Sequence, residues 1–503
     1  MPRVFCQLHI FLLFFIVLML IVLQSGRARA TNEFQAYTLQ VPGNMKYYVA
    51  EDLNNDGLVD FIVFHTKGSG QNTGRFLSIF FQNASGFFRD ANQTFEVNKD
   101  IVLFDVGDVA GGNEKEIVFF SSGGVYYYSH VSGRYSLKPK PLIKDNSIFA
   151  LPDNEHLPYW NFVVDVNGDG VDEVLIPQID GCAIYTKGSD GKFFLLSKIR
   201  GGVSATVSSG FTGGGTNILA NYRTDVFKFL DFNNDGRRDI VCVSKNGLKV
   251  FIQNSDGTFS ESPDKDLTIT QQHNASILEV ADVNKDGLID VIVERTASGG
   301  FLRNVRTDVD VYFGRNDPKA GGWSAFSDNP DQMLSFNGVQ VSPELVDLQK
   351  GSNLDLVVST IEIGVGNLFS SLVRSEVKAS ILFHRNTGRF SERPNLVREV
   401  SVEFNIRETT EKKPFFLVSG DYNGDGVADL LIGESGESIS VYDGEQSGSF
   451  KNSKSFSFDI PLPNDGRRIR AQKLNRDNKD DLIITYEREQ SSPFSIFKVL
   501  MKN

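Results

Sequence analysis

The chain has 503 residues, of which 40% are hydrophobic and 23% charged. That ordinary globular composition excludes a disordered or low-complexity chain. A formal charge of -12 at pH 7 excludes the cationic surface of a nucleic-acid binder, and three cysteines are too few for a disulfide scaffold.

Residues 1–30 carry Arg3, Arg27 and Arg29 and no acid, and Ile10 to Leu23 is unbroken apolar sequence. Ala28-Arg29-Ala30 follows. A basic start, an apolar run and an A-x-A site describe a secretory signal peptide. Counted from Val4, the run to Leu23 also has about the length of a bilayer-spanning helix. An uncleaved anchor over residues 4–23 is therefore the alternative. The expected location is secreted or periplasmic, with residues 31–503 as the mature chain. That part keeps 48 Lys and Arg against 63 acids, a net charge of -15. Its two cysteines, Cys182 and Cys242, sit in apolar runs. They read as small buried hydrophobes, although export permits a disulfide between them. Sequons occur at Asn83, Asn92 and Asn274.

An internal repeat organises the remainder. The first copy is Asp52, Asn54, Asp56, Gly57 and Asp60 at positions 1, 3, 5, 6 and 9 of a nine-residue loop, followed by FIVF. The second full copy uses Asp165, Asn167, Asp169, Gly170 and Glu173. The third uses Asp231, Asn233, Asp235, Gly236 and Asp239, and the fourth Asp282, Asn284, Asp286, Gly287 and Asp290. The fifth uses Asp421, Asn423, Asp425, Gly426 and Asp429. Decayed copies begin at Asp108, Asp347 and Lys473. The eight starts lie 51–74 residues apart, too far for short solenoid repeats and suited to four-stranded propeller blades.

Most units also carry a glycine turn that ends in an aromatic: Phe87, Tyr135, Phe193, Phe259, Trp323, Phe390 and Phe450. The pattern predicts strand A before the acidic loop, B after it, C up to the glycine turn, and D opening on the aromatic. The last unit lacks a D strand, and Phe34 to Val41 precedes the first A strand as a surplus. The expected fold is all-β, a single eight-bladed β-propeller over residues 31–503, closed by the N-terminal strand of the mature chain. Seven blades plus a stray repeat is the alternative.

Acids at positions 1, 5 and 9, Asn at 3 and Gly at 6 form a calcium-loop spacing. Calcium takes six to eight hard oxygen ligands, and the glycine permits the sharp turn. Five copies in register imply about five structural calcium sites, since packed carboxylates without a cation repel. The loops at Asp108 and Asp347 are expected to be empty. The loop at Lys473 is expected to place an ammonium where the metal would sit.

These loops and the strands after them resemble the FG-GAP/VCBS-type repeats of integrin α-subunit propellers and many exported proteins. The resemblance covers essentially all of residues 31–503 and implies that the calcium is structural. The integrin-type Phe-Gly and Gly-Ala-Pro elements are not evident.

Topology places A–B and C–D connections on one face and B–C and D–A on the other. The long connections are Ile143–Tyr159, Arg200–Thr224, Arg295–Thr307, Gly364–Arg374 and Asn405–Lys413, on the face opposite the acidic loops. Long loops on a rigid scaffold are common binding sites. Tyr159, Tyr222, Arg223, Arg303, Arg306, Arg374 and Arg407 are the candidate ligand residues there, Arg because it pairs with carboxylates and sulfates. No HExxH, GxSxG or phosphate-loop motif occurs, and no catalytic residue is assigned. The expected function is binding or adhesion towards a carbohydrate or protein. The alternative is a carbohydrate-active enzyme such as a polysaccharide lyase, since some polysaccharide lyases resemble this calcium-loop propeller architecture.

Overall fold

The structure, a computed structural model, describes residues 33–503 apart from 122, 132, 146–154, 213–214, 246, 270–274, 298–304, 318–322, 339, 350, 362–375, 404–415, 435–437 and 464. Strand dominates. The helical turns Gly70–Asn72 and Gly466–Arg468 are each one 3-10 turn long.

Eight four-stranded antiparallel sheets follow one another along the chain. Blade 1 is Asn44–Glu51, Asp60–Lys67, Gly74–Phe80 and Gln93–Glu96, strands A to D in order. In every blade the acidic loop joins A to B, because the ninth-position acid is the first residue of B (Asp60, Glu116, Glu173, Asp239, Asp290, Asp355, Asp429, Asp481). Blade 8 has Ile469–Gln472, Asp481–Thr485 and Phe494–Lys502 as A to C. Its D strand is Phe34–Pro42, paired antiparallel with Phe494–Lys502 from Phe34 opposite Lys502 to Pro42 opposite Phe494. The ring is eight-bladed and shut by the N-terminal strand. This closure leaves no open sheet edge at the seam.

The core lies between the blades. One apolar cluster joins blades 8 and 1 through Leu39, Val41, Phe61, Phe80, Phe497 and Val499. A second joins blades 1 and 2, and one long cluster runs through blades 2, 3 and 4. Four more join 4 to 5, 5 to 6, 6 to 7 and 7 to 8. Every blade junction is thus apolar. Each B strand is sandwiched between neighbours on both faces, which is why it reads as a continuous apolar run. Phe61, Ile62, Val63 and Phe64 are all 1% exposed or less.

Two expectations need correction. The turn aromatic opens strand D only in blade 3, where Phe193 is its first residue. Elsewhere D begins later, at Gln93, Lys140, Lys265, Gln332, Leu396 and Phe456. The aromatic instead packs into the junction with the preceding blade: Phe87 between 8 and 1, Tyr135 between 1 and 2, Phe259 between 3 and 4, Phe390 between 5 and 6, and Phe450 between 6 and 7. Burial of a large ring at a junction outweighs continuation of the strand. The second correction concerns Arg200–Thr224. It is not an irregular loop but a ribbon in which Val203–Thr212 pairs with Gly215–Thr224 in unbroken register.

Candidate metal centres and the opposite face

The five full loops share one backbone form. Position 6 is left-handed at Gly57, Gly170, Gly236, Gly287 and Gly426, with φ between 80° and 86°, a region open to glycine at little steric cost. Position 4 is left-handed too, at Asn55, Gly168, Asn234, Lys285 and Gly424. Two decayed loops keep the turn without glycine. Asn113 and Asn478 occupy position 6 with φ of 70° and 67°, which asparagine tolerates.

This double turn aims backbone N–H groups at the first acid. Asp52 Oδ1 accepts from Asp56 N (3.2 Å) and its Oδ2 from Gly57 N (2.8 Å). Asp165, Asp231, Asp282 and Asp421 accept the same pair. Asn54 Oδ1 accepts from Asp56 N (3.1 Å), and Asp56 Oδ1 from Leu58 N (2.8 Å). Asn167 with Asp169, Asn233 with Asp235, Asn284 with Asp286 and Asn423 with Asp425 repeat this arrangement. In every full loop the first acid is half-buried and the fifth exposed.

The ninth acid behaves differently. Asp60, Glu173, Asp239, Asp290 and Asp429 are all 0% exposed. One oxygen of each accepts the N–H of loop position 2, as Asp290 Oδ2 does from Val283 N (3.0 Å). In four of the five, the other oxygen accepts an N–H at the end of strand C: Gln82, Gln253, Gly314 or Gly444 (2.8–2.9 Å). Glu173 takes the Thr186 hydroxyl instead (2.8 Å). Burial, opposed by these hydrogen bonds, pushes Asp60, Glu173, Asp290 and Asp429 up to about 7 and Asp239 to about 6. The decayed loops keep this acid while losing others: Glu116, Asp355 and Asp481 are 5% exposed or less. The ninth acid therefore lies buried at the foot of the loop in full and decayed copies alike, and staples loop to blade. Position 2 is apolar and buried in all eight loops (Leu53, Val109, Val166, Phe232, Val283, Leu348, Tyr422, Leu474). That signal was open to sequence reading and was missed.

Consecutive loops are tied to one another around most of the ring. The N–H of position 8 donates to the position-2 carbonyl of the preceding loop: Val59 to Leu474 (2.9 Å), Lys115 to Leu53 (2.9 Å), Leu354 to Val283 (2.9 Å) and Ala428 to Leu348 (3.2 Å). Asp480 N reaches the Asp421 carbonyl (2.8 Å). Asp172 Oδ2 accepts from Asp108 N (2.9 Å), and Arg238 Nη1 donates to the Asp165 carbonyl (3.2 Å). Residues at the end of strand C add side-chain links. Gln253 Nε2 donates to the Asn167 carbonyl (3.0 Å) and Asn386 Nδ2 to the Val283 carbonyl (2.9 Å).

Each full loop thus offers only oxygen donors on an exposed turn, a set whose chemistry fits a hard cation. Among the described residues, no three or more His, Cys, Asp or Glu side chains converge as a metal cluster. The ninth acid is turned inward to the backbone, and in the third full loop Arg237 pairs with Asp235. The Lys473 loop keeps the turn through Asn475 and Asp477, whose oxygens accept from Asp477 N and Lys479 N (2.9 Å each).

The FG-GAP-like repeat family matches residues 231–293 and 421–484. Each window holds two successive acidic loops. Those two windows are FG-GAP-like repeats. Among solved structures, the propeller is similar to an Agrocybe aegerita lectin described by its specific recognition of non-reducing terminal N-acetylglucosamine. That match is 17% identical, covers 83% of this chain and 93% of that one, and has a TM-score of 0.37. It is similar also to the V. cholerae biofilm matrix protein Bap1 (13% identical, 94% and 91% covered, TM-score 0.37). The Dos1 propeller is a third (9% identical, 93% and 94% covered, TM-score 0.38).

On the opposite face of the propeller the described candidates are not gathered into one cluster. Tyr159 is half-buried, meets Phe104 edge-on at 5.5 Å and hydrogen-bonds Asp105. Tyr222 and Arg223 lie in the ribbon, opposite Ala205 and Ser204. Arg306 pairs with Asp308 (2.8 Å) and donates to the Ser335 hydroxyl (3.0 Å) on the outer part of blade 5. Arg303, Arg374 and Arg407 lie outside the described residues.

Proposed function

We propose that this chain is an exported, calcium-stabilised propeller that binds a carbohydrate or protein through the face opposite its acidic loops. In each full loop the carboxylates at positions 1 and 5 and the Asn at position 3 would hold the ion. The carboxylate at position 9 would hold the loop. Calcium would supply positive charge to a turn that otherwise gathers acids, and no chemistry beyond that.

The observation that carries the reading is the division of labour between the faces. All eight tethered loops occupy one face. Glu33, where residues 1–32 join, lies at that same end of the closing strand, because strand D starts on the side of the C–D connections. The other face receives the long B–C and D–A connections, including the Val203–Thr224 ribbon. If residues 4–23 stay as an anchor, this second face points away from the bilayer.

The test is a glycan array run beside an unsaturated-product assay on acidic polysaccharides, both with calcium present. Ligand retention without cleavage supports the reading. Cleavage overturns it in favour of an enzyme.

A further inference from the structure

Residues 83–92 form a strap over the closing strand. The chain leaves strand C of blade 1, crosses the N-terminal strand and then enters strand D. Tyr37 Oη donates to the Ser85 carbonyl (3.0 Å), and Gln40 N donates to the Arg89 carbonyl (3.0 Å). Gln40 Nε2 donates to Asp90 Oδ1 (2.7 Å), while its Oε1 accepts from Arg89 Nε (3.1 Å). The Tyr37 and Phe87 rings meet edge to face at 6.1 Å. The strap clasps the strand that shuts the ring.

Both ends of the strap are sequons, Asn83-Ala84-Ser85 and Asn92-Gln93-Thr94. Such a triplet is an acceptor only where the asparagine can stand at the surface. Asn83 opens a tight turn, exchanging both backbone bonds with Gly86 (3.0 and 2.7 Å), and Ala84 and Ser85 are exposed. Its Oδ1 accepts from Ser85 N (2.8 Å). Asn92 is exposed, and its Oδ1 accepts from Phe81 N (2.8 Å). Each asparagine spends its carbonyl oxygen on the fold. Neither Nδ2, the atom that a glycan takes, donates to a described residue.

We propose that Asn83 and Asn92 are N-glycosylation sites, and that their glycans flank the clasp on the closing strand. The proposal rests on export of residues 31–503. The donor is a lipid diphosphate-linked oligosaccharide. A bond forms between the anomeric carbon and Nδ2, and the anomeric carbon–oxygen bond breaks. The lipid diphosphate leaves with that electron pair, and Nδ2 gives up one proton. Nothing is oxidised or reduced. The Oδ1 bonds to Ser85 and Phe81 persist, so the strap keeps its shape.

The experiment expresses the full chain with its own N-terminal segment in a eukaryotic secretory cell. Peptides are mapped after enzymatic deglycosylation in heavy-oxygen water. The expected result is label at both Asn83 and Asn92, with the first lost in Ser85→Ala and the second in Thr94→Val. The wild-type chain decides the outcome, so a variant that fails to fold does not obscure it. A chain that enters the secretory compartment with both asparagines unlabelled overturns the proposal and leaves export standing. A chain that stays in the cytosol overturns the export reading, and the proposal with it. Label at Asn274 is read separately and bears on neither.

Discussion

Phe34 lies opposite Lys502 across the closing blade, and Lys502 is tied on both sides of that pair. Its Nζ donates to Glu33 (2.6 Å) and its backbone N to the ninth-position acid Asp481 (2.7 Å). Two chain segments more than 450 residues apart are thereby joined in one sheet. The propeller's stability should then depend on the N-terminal strand as on any core strand. Leu39, which is 0% exposed, is expected to cost roughly 2–5 kcal/mol when changed to Ala. Gln35→Ala, on the exposed side, should stay within about 0.5 kcal/mol. Urea unfolding of both variants tests this. Equal effects would mean that the strand is decoration rather than closure.

The staple reading separates the ninth acid from the fifth within one loop. Asp290→Asn would set an amide NH2 against a backbone N–H that now has a carboxylate oxygen. The expected loss is on the order of 2–3 kcal/mol, from a buried donor left unpaired, in chelator as well as in calcium. Asp286→Asn, at an exposed position, should leave stability in chelator nearly unchanged and shrink only the gain on adding calcium. Melting curves of the two variants with and without calcium decide the matter. If both lose stability only in calcium, Asp290 is a ligand and not a staple.

Calcium removal has a calculable scale. With a dissociation constant near 0.1 mM and about 1 mM ion, one site stabilises by roughly 1.4 kcal/mol. Five independent sites reach about 7 kcal/mol, comparable with the whole stability of a typical domain. For a chain of this size the melting temperature should fall by roughly 5–10 °C in excess chelator. Because hydrogen bonds join consecutive loops around most of the ring and every blade junction is apolar, the fall should move one transition rather than split it. Scanning calorimetry in chelator reads both features, and an unchanged melt rejects structural calcium.

The repeat made the fold legible. Eight acidic loops in register with apolar runs, and a missing D strand matched by the surplus Phe34 to Val41, placed every blade and the closure. The turn aromatics misled because Phe87 and Phe259 answer to a junction with the preceding blade, and a local strand pattern carries no information about that neighbour. A second role of the ninth acid was hidden for a related reason. Spacing alone groups Asp60 with Asp52 and Asp56, yet Asp60 is held by the N–H of Gln82, a partner that only the folded blade supplies. Arg306 reads as a ligand group in sequence because one of the residues that hold it, Ser335, lies on the paired strand and meets it only in the fold, where Asp308 two residues on completes the contact.

Cys182 and Cys242 are both free and buried in the cluster that runs through blades 2 to 4. Burial raises both thiols well above the usual range, so neither presents a thiolate at neutral pH. An aromatic disulfide reagent should find neither thiol in the native residues 31–503 and both after denaturation. Rapid native labelling would show that the junction between blades 3 and 4 opens.

Asp105 gives the fold a pH dependence whose sign can be worked out. The residue is 0% exposed and accepts from Val106 N (2.8 Å) and from Phe162 N and Val163 N in the next blade (2.7 Å each). Burial raises its pKa from 3.8 to about 7, against the pull of those bonds and of Tyr159. In the unfolded chain the group ionises near its ordinary value. Between about pH 4 and pH 7 the folded state therefore holds a proton that the unfolded state has lost, and stability falls as pH rises through that window. Below it both states are protonated and the contribution is complete. Above it both are ionised and the loss has levelled off, at on the order of 4 kcal/mol for a shift of this size. Other buried acids slope the same way, so the informative quantity is a difference. Urea unfolding of the wild type and of Asp105→Asn should be compared at pH 4.5 and pH 7.5 (test conditions spanning about the pH 4–7 window). The wild type should lose stability relative to the variant as pH rises. A constant difference would mean that Asp105 is ionised throughout, held by its three backbone donors and Tyr159 against the cost of burial.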